Sequence, residues 1–126
     1  MTPGSTLQII QQWMTLEAER ESLHTAWGDH ESWLVAHYDW LNLTTEQQRA
    51  IPEAKRFDEI DRRFEEIGDE QAALFEALPE TPATDTVTVI ASLSLAAAIL
   101  LPEDYPGVHG LITRAVRDLK LLAVLP

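Results

Sequence analysis

Residues 9–41 read IIQQWMTLEAERESLHTAWGDHESWLVAHYDWL, and within them Ile9, Trp13, Leu16, Arg20, Leu23, Trp27, His30, Leu34, His37 and Leu41 recur at alternating steps of four and three. That spacing sets one stripe on one helix face. No proline falls between residues 4 and 51, and Ser5 or Thr6 can accept a hydrogen bond from a free first-turn amide. The pattern predicts a helix over about 5–41. Counted from Thr6, its 36 residues would extend about 54 Å. Gly28, followed by Asp29, costs about 1 kcal/mol relative to alanine and marks where this helix would kink or break.

Working outward, Thr44 and Thr45 followed by Glu46, Gln47 and Gln48 form a capped short turn that Pro52 stops, so residues 42–52 connect and reverse the chain. A second long helix is expected over 52–78, with Phe57, Ile60, Phe64, Ile67, Gln71, Leu74 and Leu78 inward and an almost wholly charged outer face. Gly68 interrupts its composition but not its register. Pro79 to Asp85 is a turn with Thr81 or Thr84 as the next cap. The following residues to Leu101 are apolar on nearly every side and rich in alanine, which favours a closely packed helix over 84–101. Thr86-Val87-Thr88-Val89-Ile90 also alternates as a strand would. After the turn at 102–107, Val108, Leu111, Ile112, Ala115, Val116, Leu119 and Leu122 mark a fourth helix over 107–123.

The expected fold is all-α: one helical domain over 1–126, built as an antiparallel hairpin of two long helices plus two shorter ones, in the manner of a four-helix bundle. The first stripe outruns the second by about three turns, given 1.5 Å per residue. The shorter helices or a second copy of the chain must cover that overhang, since Ile9, Trp13 and Leu16 would otherwise form an exposed apolar patch. A homodimer is the favoured expectation, and its candidate interface residues are Ile9, Trp13, Leu16, Arg20, Trp27, His30, Trp33, His37 and Trp40. Trp33, His37 and Trp40 would share a second apolar face of the first helix.

Charge narrows the partners. The chain carries a net −12, and residues 17–80 hold seventeen Asp and Glu against six Lys and Arg, or −11; the remainder hold four against three, or −1. Such a surface repels phosphate backbones and anionic headgroups, which disfavours direct nucleic-acid or membrane binding and leaves a basic protein as a possible partner. The fifteen residues from Val87 to Leu101 fall short of the roughly 20 that span a bilayer. Met1 to Gln8 lacks the basic stretch and apolar run of a secretory signal, and there is no cysteine, so a cytoplasmic location is expected.

Chemistry is thinly supported. His30 and His37 lie about 10.5 Å apart along a helix, too far to chelate one ion, and register-setting is their commoner role. Glu21 and His24 have the i, i+3 spacing of di-iron bundles, which need two such pairs and two more glutamates. Glu17, Glu21, Glu66 and Asp69 are similar to the paired acids of all-helical magnesium-dependent nucleotide hydrolases, but acid pairs arise on any charged helix face. Ser92, Ser94 and Thr113 have no histidine and acid at motif spacing. The loop from Glu103 to Gly110 mixes acids, tyrosine, glycine and His109, and helix punctuation accounts for it. No catalytic residue, metal site or cofactor is therefore expected.

Thr81-Pro82-Ala83-Thr84 opening an alanine-rich segment, with Val116-Arg117-Asp118-Leu119 near the end, resembles short bacterial helical proteins of uncharacterised function over the last third of the chain. That resemblance implies a helical fold and no activity. The functional expectation is a non-enzymatic helical interaction or accessory protein of a bacterial cytoplasm, self-associating through the long hairpin. The alternatives are an acidic inhibitor imitating nucleic acid, from a phage or plasmid, and a magnesium-dependent helical hydrolase.

Overall fold

The computed structural model describes residues 5–124, so the expectations on Met1–Gln8 and on the chain ends lie partly outside the described residues. Five helices follow in order: α1 Thr6–His37, α2 Thr45–Ala50, α3 Lys55–Glu76, α4 Thr86–Ile99 and α5 Pro106–Val124. Short 3-10 turns occupy Trp40–Asn42 and Pro52–Ala54, and the described residues contain no strand. The chain is all-α. None of these helices is long and apolar enough to cross a membrane.

The chain divides into two compact units, one comprising Thr15–Ala73 and the other the residues up to Met14 together with those from Leu74 onward. Within Thr15–Ala73, α1 runs through Gly28 without a break, and no described residue has a positive φ. A Cβ at Gly28 or Gly68 would meet nothing within 4 Å. The propensity cost of each glycine is thus accepted without distortion, because the neighbouring turns are held by packing: the rings of Trp27 and Phe57 lie 4.8 Å apart. Side-chain contacts ascend along α1 as they descend along α3, from Glu17 with Gln71, through His24 with Phe64, to Trp27 and His30 with Phe57. Leu34 and Ile67 are wholly buried in this unit, and Ile60, Gln71 and Trp40 are nearly so.

The first helix ends at His37, four residues short of the expected Leu41. Trp40 decides the difference. Its indole is buried with its centroid 5.8 Å from that of Phe57, while the Asp39 carboxylate accepts a 2.7 Å hydrogen bond from the Asn42 amide. The chain leaves the helix to reach that position, so Trp40 does not share a helix face with Trp33 and His37, and Leu41 is left 74% exposed. Thr44 then caps α2 in a full capping box with Gln47, and Pro52 opens the turn leading into α3.

In the other unit, Ile10, Trp13 and Leu95 form a buried cluster, with Leu74, Leu78, Ala91 and Ala98 packed against it. Ser5 caps α1 here: its hydroxyl accepts from the Gln8 amide, and the Gln8 side chain accepts from the Ser5 amide. Residues 86–90 are helix, not strand, and the cap of α4 is Asp85, one residue beyond the expected Thr84; its carboxylate accepts from the Thr88 amide at 2.7 Å. This contact holds the Asp85 carboxyl below its ordinary pKa. Small side chains let α4 and α5 approach with Cα atoms within 8 Å, whereas such approaches between α1 and α3 are sparse. Pro106 opens α5, where no amide donor is missed.

Candidate functional site

The residues expected at an interface separate into covered and open groups. Ile9 and Trp13 are buried within the chain, Trp13 to 7% exposure, and α4 supplies Ala91, Leu95 and Ala98 to the cluster that covers it. The chain itself therefore covers Ile9 and Trp13 of the three overhang residues. Leu16, Trp27 and His30 are half-buried, Trp40 is buried, and Arg20 is ion-paired with Glu17. Only Trp33 and His37 stand well exposed.

Trp33, His37, Tyr38, His30 and Phe57 form a continuous aromatic cluster. His37 stacks on Trp33 at 4.2 Å, Tyr38 meets Trp33 edge-on at 6.2 Å, and His30 meets Phe57 edge-on at 5.0 Å. Each histidine spends one ring nitrogen on the backbone. His30 donates from Nε2 to the Glu53 carbonyl at 2.7 Å, and His37 donates from Nδ1 to the Trp33 carbonyl at 2.8 Å. His30 thereby ties α1 to the turn before α3, which is a register-fixing contact. The Tyr38 hydroxyl donates to the Glu53 carboxylate at 3.2 Å; partial burial, then that hydrogen bond and its negative charge, push the Tyr38 pKa up.

A charged network lies along the same pair of helices. Arg63 donates to both oxygens of Glu19 and also pairs with Glu66 and Glu70. These contacts raise the Arg63 pKa and lower that of Glu19. Burial pushes Glu17 up, but hydrogen bonds from Arg20 and Gln71 outweigh it and leave its pKa lowered. Glu17 and Glu66, two of the four acids spaced like a magnesium site, are thus engaged by guanidinium groups, and His24 lies 4.7 Å from the Phe64 ring. Among the described residues, no three His, Asp or Glu converge in a group able to hold a metal.

Most of the exposed large apolar side chains lie elsewhere. Sixteen large hydrophobic side chains are exposed among the described residues, and ten of them fall between Val87 and Val124. On α5, Val108, Leu111 and Leu122 are 53%, 61% and 62% exposed. At 3.6 residues per turn they share a sector of about 60° with Ala115, beside the arc of Ile112, Val116 and Leu119. The sequence held this signal. An apolar arc of about 140°, counted from Leu111 round to Val116, is wider than one helix partner needs. Comparison with protein-family models, curated proteins and solved structures finds no match to the chain.

Proposed function

We propose that this chain is a non-enzymatic helical interaction protein of a bacterial cytoplasm, built as an antiparallel long hairpin with two shorter helices and acting by presenting surfaces to partners. The observation that carries this reading is the concentration of exposed apolar side chains on α4 and α5, since monomeric surfaces seldom leave contiguous apolar area without a binding role. The descending order of contacts along α3 supports the hairpin.

Thr15–Ala73 carries fifteen acids against six bases, or −9, which suits a basic protein partner and disfavours direct contact with nucleic acid. That same charge favours, as a second reading, an acidic inhibitor occupying a nucleic-acid-binding groove. Immobilised protein should retain a basic partner from bacterial extract at low salt and release it at high salt. A variant with the exposed Asp58, Asp61, Glu65 and Asp69 made Asn or Gln should retain far less. Equal retention by that variant overturns the basic-partner reading, and a captured DNA- or RNA-binding enzyme selects the second. A rise in thermal midpoint with magnesium and a nucleotide would instead favour a hydrolase.

A further inference from the structure

We infer that the exposed stripe of α5 is a self-association surface on which a second copy of this chain docks antiparallel, about a two-fold axis level with Val116. The inference rests on the interaction reading and supplies its surface. Val108, Leu111, Ala115 and Leu122 form a stripe free of charge, and Arg114 and Asp118 flank it on the same open side. Their order along the helix is self-complementary. With two helices antiparallel, 111 and 122 sum to 233 and 114 and 118 to 232. One register thus brings Leu111 against the second copy's Leu122 and Arg114 opposite its Asp118, each contact made twice, as an isologous interface requires. Among the described residues Asp118 ion-pairs with the adjacent Arg117, and both side chains are well exposed, so this weak surface pair can give way to a second cation.

Charge argues against other occupants. Pro106–Val124 holds three bases against Asp118, or +2 in a chain of −12, so a basic partner is repelled here and drawn to Thr15–Ala73 instead. A stripe of four side chains makes a small interface, for which a dissociation constant on the order of micromolar is expected.

Sedimentation equilibrium with the full chain should show a reversible dimer at concentrations on the order of 100 μM. Leu111→Glu should be monomeric with unchanged helix content. Arg114→Asp alone places acids opposite acids, and Asp118→Arg alone places bases opposite bases, so each should dissociate about ten-fold or more readily. Mixed together, these two variants should form a heterodimer, because both cross-chain pairs become opposite in charge; pairing within one helix cannot produce that rescue. Wild-type monomer throughout, a dimer indifferent to Leu111→Glu, or failure of the mixture to associate would each overturn the inference. A monomer that still retains a basic partner leaves the interaction reading standing, whereas a dimer that retains none supports this surface and removes the basic-partner reading.

Discussion

The two units reach a buried core by opposite means. Thr15–Ala73 uses large aromatic rings and long charged side chains, and its inner and outer faces are distinguished residue by residue along α3. The α4–α5 unit packs alanine and branched aliphatics around the single indole of Trp13, and from Thr86 to Leu101 it has no charged residue on any face. The first strategy marks which side faces water. The second packs backbones closely but leaves nothing to hold its outward apolar residues in water, which is why the surplus apolar surface collects there.

Core truncation should affect the two units alike and most strongly. Leu34→Ala or Ile67→Ala in one, and Leu95→Ala in the other, should each cost about 2–5 kcal/mol in urea unfolding, because all three side chains are almost completely enclosed. Leu111→Ala, measured under monomeric conditions, should stay within about 0.5 kcal/mol, and a larger loss would show that the stripe belongs to the core of its own chain. Gly28→Ala and Gly68→Ala should stabilise by about 0.5–1 kcal/mol each, since both glycines are helical and an added methyl meets open space.

The smallest effects should carry the clearest difference. Arg63→Ala should lower the thermal midpoint at low salt and much less at high salt, whereas Asp85→Ala, which removes a cap, should be nearly independent of salt. Glu17 and Glu19 have folded pKa values below their ordinary 4.5, so the stability they contribute is present above that value and is lost as the pH falls through their folded values. Arg63→Ala removes the cause for Glu19. A titration of the variant's thermal midpoint from neutral to acid pH should therefore show a shallower decline than the wild type.

Much of the helical content could be read from periodicity and capping alone. The Thr44–Gln47 capping box, the start at Ser5 and the inward set Ile60, Ile67 and Gln71 all follow from short-range spacing. What the sequence hid depended on distant partners. The period continued to Leu41 because nothing local revealed that Trp40 would be buried beside Phe57, seventeen residues further on. Thr84 and Asp85 are adjacent and chemically equivalent as caps, and only the backbone path chose between them. The open surface was sought at Ile9 and Trp13 because those large residues looked unmatched, yet both are buried within the chain, and Leu95 of α4 packs in the cluster with Trp13. On α4, where no charged residue marks an outside, the pattern could not separate a core face from an exposed one.

The placement of tryptophan gives this comparison an optical handle. All four indoles precede residue 41, but Trp13 lies in the cluster with Leu95, whereas Trp27, Trp33 and Trp40 belong to Thr15–Ala73. A chain keeping only Trp13 would report by its emission on the α4-packed core, and one lacking only Trp13 would report on the charged helices. Superimposable melting curves from the two would mean a single cooperative transition, and separated ones would time the two kinds of core against each other in the same cuvette.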